Sequence, residues 1–190
     1  RMIRMFCREH DAQYLYLRLL DRRYRVSRAA GTIEWEDEGG WQHAGFLDAM
    51  TIYDLLCCAK DSASLCGRYS QAENLPGTIH GANPAKGAFD DFAADCDRKP
   101  EALRAACLAL GGREIPMGEL SFEIPLFDFL PVMVQFWSSD EEFPPVFKLM
   151  WDENVLMFLR FETVCYAARF LVMRLQAHMG LWVENTEGHM

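Results

Sequence analysis

None of the seven cysteines, at 7, 57, 58, 66, 96, 107 and 165, shares a Cys-x-x-Cys spacing with another. Two thiolates from one turn therefore cannot grip zinc or an iron–sulfur cluster. The odd count, spread over 190 residues, also excludes a disulfide scaffold. Free thiols on apolar stripes behave as small hydrophobes, which fits Cys96, Cys107 and Cys165 and a reducing, cytoplasmic setting. Long apolar runs are missing too. The longest uncharged, mostly apolar stretch, Phe129–Trp137, is half the roughly 18 residues that a membrane helix needs. No basic–apolar–small leader opens the chain. No membrane partner is expected.

Positive charge is in short supply: 19 Lys+Arg face 28 Asp+Glu, for a net −9. That balance argues against a phosphate-gripping nucleic-acid protein. The distribution is uneven, because residues 1–28 carry eight arginines and a balance of +5, leaving −14 for the rest. A basic arm of that kind could steer toward an anion. Apolar content of 51% with 25% charged residues is that of a globular chain, so wholesale disorder is excluded.

Tyr14–Glu36 reads as a three-strand meander, with Tyr14–Leu19, Arg23–Ser27 and Thr32–Glu36 as its strands. Closing the second hairpin on a four-residue loop sets Val26 opposite Ile33, Arg25 opposite Glu34, Tyr24 opposite Trp35 and Arg23 opposite Glu36. Apolar then meets apolar on one face and Arg meets Glu on the other; a slip of one residue destroys both matches. This register also absorbs much of the basic arm. A helix follows over 44–60, with Phe46, Met50, Tyr53 and Cys57 as its core-facing stripe. Residues 61–88 read as an irregular loop. Helices over 89–96 and from Pro100 to Leu110 come next, the second stopped by Gly111-Gly112. Strands follow over 119–124, 132–137 and 146–151, the middle one apolar on both faces and therefore central. A short helical piece over 154–159 and a long helix over 162–178 finish the pattern, with 181–190 as a frayed tail. The expectation is one α+β domain over 1–180, a mixed or antiparallel sheet (N-terminal meander plus C-terminal hairpin) covered by helices.

The run Pro131-Val132-Met133-Val134-Gln135-Phe136-Trp137, the turn Ser138–Pro145, and Leu149-Met150-Trp151-Asp152-Glu153-Asn154 resemble the bacterial and archaeal family called domain of unknown function 3786. Its members show an apolar strand ending in Trp, an Asp-x-Glu-Phe-Pro turn, and a strand ending near Asp. Leu19-Leu20-Asp21-Arg22-Arg23-Tyr24 is similar to the family's early Leu-Leu-Gly-x-x-Tyr stretch, with Asp21 in place of Gly, and Leu110-Gly111-Gly112 to its Leu-Gly-Gly segment. Some relatives carry a Cys-rich iron–sulfur segment that this sequence lacks. The resemblance spans about 14–176 and implies a fold unit without an assigned activity.

Candidate chemistry centres on Asp140, Glu141 and Glu142, three carboxylates on one turn that could hold a hard cation or supply a general base. The plainer reading is a solvated turn that keeps a hydrophobic hairpin soluble. Asp152 and Glu153 lie a strand's length away, roughly 20 Å, and read as a helix entry with Asn154. Lys86-Gly87-Ala88 has the wrong order for a phosphate loop. His80 is the group in the 61–88 loop that titrates near neutrality. The other histidines (10, 43, 178, 189) lack zinc-hydrolase spacing, so no metal and no cofactor is indicated by motif. Trp137 and Trp151 on one hairpin read as core under the last helix, or as an aromatic interaction platform if exposed. Two functions follow. The first is an accessory module binding a small molecule or a protein partner, as monomer or homodimer. The second is a small-molecule enzyme or sensor that uses the 138–145 carboxylates with His80.

Overall fold

The computed structural model describes residues 6, 7, 9–78 and 89–181. Among these residues, two antiparallel five-stranded sheets and four helices make up an α+β architecture. The first sheet runs in chain order through β1 (Glu9–His10), β2 (Tyr14–Leu19), β3 (Arg22–Ser27), β4 (Ile33–Asp37) and β5 (Gly40–His43). Tyr24 pairs with Trp35, Arg25 with Glu34 and Val26 with Ile33, the register that charge and apolarity together demand. The Arg25 guanidinium lies 2.7 Å from Glu34, and Arg23 reaches Glu36 at 3.2 Å. β1 and β5 extend the meander beyond the three strands read from the pattern. Both are short, with little alternation to betray them.

The second sheet has the order β6 (Tyr69–Ser70), β10 (Val146–Asp152), β9 (Leu130–Trp137), β8 (Leu120–Phe127), β7 (Arg113–Glu114). β9 is central, and every residue from Val132 to Phe136 is buried. Meander and C-terminal hairpin thus belong to separate sheets. The described part of the 61–88 segment, 61–78, is less irregular than its composition suggests, since β6 pairs with β10 and a 3₁₀ turn covers Ala72–Asn74. Its anchor is Asp152, fully buried, whose carboxylate accepts the N–H groups of Cys66 at 3.1 Å, Gly67 at 2.7 Å and Asn154 at 2.9 Å. Asp152 therefore clamps the preceding loop as well as the turn that follows it.

Helix α1 (Phe46–Cys58) packs along α4 (Phe161–His178), while α2 (Asp90–Arg98) and α3 (Pro100–Ala109) lie against the second sheet. α3 stops where Gly112 approaches the backbone; a Cβ there would stand 2.5 Å from the Cys107 carbonyl oxygen. The orientation of α1 corrects the sequence reading. Phe46 is 65% exposed and Tyr53 40%, and Met50 and Cys57 face outward with them. The buried stripe is Asp48, Thr51, Ile52 and Leu55, offset by two positions, or about 200° around the helix. Both faces of α1 are apolar enough to pack, so apolarity alone does not choose between them. Two buried carboxylates with waiting partners decide. Asp48 accepts the Tyr24 hydroxyl at 2.9 Å, and Asp54 accepts the Arg160 N–H at 2.6 Å at the start of α4. Burial pushes the Asp48 carboxyl above its usual range, opposed by the Tyr24 hydroxyl, and burial raises Tyr24 in turn. Tyr53, outward, donates to the Gly31 carbonyl, in a loop whose φ of +72° calls for glycine.

The sheets meet at the β2–β3 turn. Leu20 is buried with φ +54°, a left-handed conformation costing roughly 1–2 kcal/mol for a residue with a side chain. It is held by its N–H bond of 2.8 Å to the Leu126 carbonyl on β8. Next to it, Asp21 pairs with Arg174 at 2.7 Å and His178 at 2.8 Å, fixing the turn to the end of α4. One contiguous apolar core runs through both sheets.

Candidate functional site

The junction of the sheets opens into a cleft of about 320 Å³. Strand alternation supplies one wall. With Leu15, Leu17 and Leu19 buried, β2 turns Tyr16 and Arg18 outward, and Arg18 sits opposite Arg23 on β3. The other wall is aromatic. Phe129, in the turn between β8 and β9, lies 4.9 Å from Phe6 and 5.7 Å from Phe127, ring centre to ring centre. Phe158 backs the group at 6.1 Å from Phe129. Contacts of this kind fix aromatic side chains in place, so the wall is preformed.

The charges in the cleft are of two kinds. Arg23 is neutralised, by Glu9 at 2.6 Å and Glu36 at 3.2 Å, and its guanidinium lies 4.8 Å over the Tyr16 ring. Arg18 and Asp128 make no ion pair and no side-chain hydrogen bond among the described residues, although both line the cleft. A second cleft of about 430 Å³ lies across the same turn; it shares Phe127, Asp128 and Phe129 with the first and adds Leu65, Pro125 and Pro131. Its cation is already engaged, with Arg113 paired to Glu123 at 3.0 Å. Of these two clefts, the first brings both Arg18 and Asp128, unmatched among the described residues, to the shared rings, whereas the second has Asp128 without Arg18.

The residues singled out from sequence are distributed differently. Asp140, Glu141 and Glu142 are exposed, and the Asp140 carboxylate accepts the N–H groups of Glu142 at 2.8 Å and Phe143 at 2.7 Å. Neighbouring carboxylates hold the hairpin end: Glu119 takes the Ser138 N–H and Asp97 the Ser139 N–H, both at 2.9 Å. The Ser139 N–H and hydroxyl hold the Asp97 carboxyl below its ordinary range. Among the described residues no group of three His, Cys, Asp or Glu side chains could hold a metal ion. His80 lies outside the described residues. The loop that carries it is clamped at Cys66 and Gly67 by Asp152, at the end of β10 away from the acidic turn, and returns at Phe89, 6.0 Å from Phe147.

Trp137 and Trp151 do not form a pair. Trp137 lies opposite Val146 and Trp151 opposite Val132, and the step from 146 to 151 is odd, so the rings leave opposite faces. Trp151 is fully buried; Trp137 lies over Gly118 with the Lys148 ammonium 5.3 Å from its ring. The cysteines are all unpaired, and burial pushes the Cys96 and Cys107 thiols up to about 12 and Cys7 to about 11, which suppresses their thiolates.

Sequence reasoning missed Arg18, Tyr16, Asp128 and Phe129. One signal was available. Extending the meander register back to β2 sets Arg18 against Arg23, and Glu9 and Glu36 between them satisfy only Arg23. The aromatic wall had no such signal, because Phe6, Phe129 and Phe158 are brought together only by the tertiary fold.

Among the described residues no helix is long and apolar enough to cross a membrane. The family model described as Domain of unknown function (DUF3786) matches residues 4–174 of the 190-residue chain. No curated protein and no solved structure matches it.

Proposed function

We propose, from the premise that the chain belongs to the DUF3786 family, that it is an accessory module binding a small molecule in the cleft between its two sheets. The carrying observation is the ring-walled cleft beside the Phe127–Asp128–Phe129 turn. Its volume of about 320 Å³ lies in the range of small-molecule sites, and its apolar wall with a few polar groups has the usual makeup of one. Seven unpaired cysteines support a reducing, cytoplasmic location. The alternative, an enzyme or sensor working through the 138–145 carboxylates, has less support, since Asp140 already bonds its own turn.

Amide chemical shifts of the full chain, recorded with a library of small neutral aromatic fragments, test this reading. Shifts should gather at Tyr16, Leu17, Phe127 and Phe129. Shifts confined to 138–145 would overturn the assignment in favour of the acidic turn.

A further inference from the structure

The two cleft charges that are unmatched among the described residues define what the cleft takes. We infer that it binds a small zwitterion with a ring-bearing apolar body, the chemistry of a free aromatic amino acid, with Arg18 receiving its carboxylate and Asp128 its ammonium. This rests on the cleft being a ligand site, as proposed above, and adds the class of ligand.

Every other charge around the cleft has a partner. Glu9 and Glu36 hold Arg23, so its guanidinium serves as a fixed lid on the Tyr16 ring rather than as a free cation. Arg18 is exposed on β2 and Asp128 exposed in the β8–β9 turn, and they line one cleft without pairing with each other. A ligand of one charge would satisfy one of them and leave the other without a partner. A guanidinium offers a planar fork to a carboxylate, and a carboxylate accepts readily from an ammonium; both bonds are charge-assisted and stronger than neutral ones. Phe129, partly exposed and backed by the buried rings of Phe6 and Phe127, supplies the surface against which a ring can lie.

The test compares four probes by chemical-shift titration of the cleft amides: L-phenylalanine, 3-phenylpropionate (no ammonium), 2-phenylethylamine (no carboxylate) and glycine (no ring). Phenylalanine should bind about tenfold tighter, or more, than each of the other three. Arg18→Gln should erase its advantage over 2-phenylethylamine, and Asp128→Asn its advantage over 3-phenylpropionate. Both side chains are exposed and, among the described residues, unpaired, so each variant should keep the parent melting temperature. Arg113→Gln, in the neighbouring cleft, should change neither ratio.

A single-charge probe that matches phenylalanine overturns the inference, as does a variant that leaves the ratios unchanged. Glycine matching phenylalanine removes the ring-bearing body. If neutral aromatic fragments shift the cleft amides and phenylalanine gains nothing over them, the zwitterion fails while the cleft stands as a ligand site. If no probe and no fragment shifts those amides, both readings fall together.

Discussion

In the first sheet β2 and β3 bury every second residue, whereas in the second sheet β9 buries both its faces from Val132 to Phe136. The outward side chains of the first sheet are therefore free for other work. Tyr14, Tyr16, Arg23 and Arg25 interleave rings and guanidiniums there, and Arg18 continues the row into the cleft. The second sheet has no such freedom at its centre. What it contributes to the cleft comes from its end, the turn that carries Phe127 and Phe129. A doubly buried sheet positions; a half-wet sheet presents.

The largest expected effect sharpens that contrast. Phe122 on β8 is fully buried opposite Val134, and Phe122→Ala should cost about 3–5 kcal/mol in urea unfolding. Tyr16 on β2 faces outward, where its ring meets Trp41 and its hydroxyl Asp11, and Tyr16→Ala should cost at most about 1 kcal/mol. Equal costs would break the comparison and make the outward face of the first sheet structural.

The same logic divides α1 into its two faces, with a somewhat smaller effect. Ile52→Ala, on the buried face, should cost about 2–5 kcal/mol, and Met50→Ala, on the outer face, about 0.5 kcal/mol or less. A large loss at Met50 would mean that the outer face is covered in solution. This helix is also where the sequence was hardest to read. An apolar residue stands on either side, and the buried face is chosen by Asp48 meeting Tyr24 and Asp54 meeting the Arg160 N–H, partners 24 and 106 positions away. No local pattern carries that information.

The meander was legible for the opposite reason. Two independent signals, apolar pairs on one face and Arg–Glu pairs on the other, agree on one register, and the structure has it. The central place of β9 was legible too, because a strand that is apolar on both sides can only be interior. The cleft was legible by half. Arg18 follows from register, while Asp128 and Phe129 face it only because Leu20 bonds to Leu126 and swings the β2–β3 turn onto the end of β8. Long-range docking of that kind leaves no trace in spacing.

The smallest expected effect probes how the register is chosen. Arg25 and Glu34 are each about a fifth exposed and 2.7 Å apart, and Arg25 also lies 4.5 Å over the Tyr14 ring and 4.4 Å over that of Trp41. Arg25→Ala alone removes ion pair and ring contacts together, so its cost overstates the pair. A double-mutant cycle with Glu34→Ala isolates the pair, and the coupling should be about 0.2–1 kcal/mol, weakening in high salt. Zero coupling would leave the register to the Tyr24–Trp35 and Val26–Ile33 contacts and to the loop between the strands. The charges would then serve to disfavour slipped pairings, in which Arg meets an apolar residue, rather than to stabilise the native one. That distinction matters for Arg18, the one arginine of the row with neither a carboxylate nor a ring against it among the described residues. A guanidinium that contributes nothing to its own sheet is free to meet a ligand.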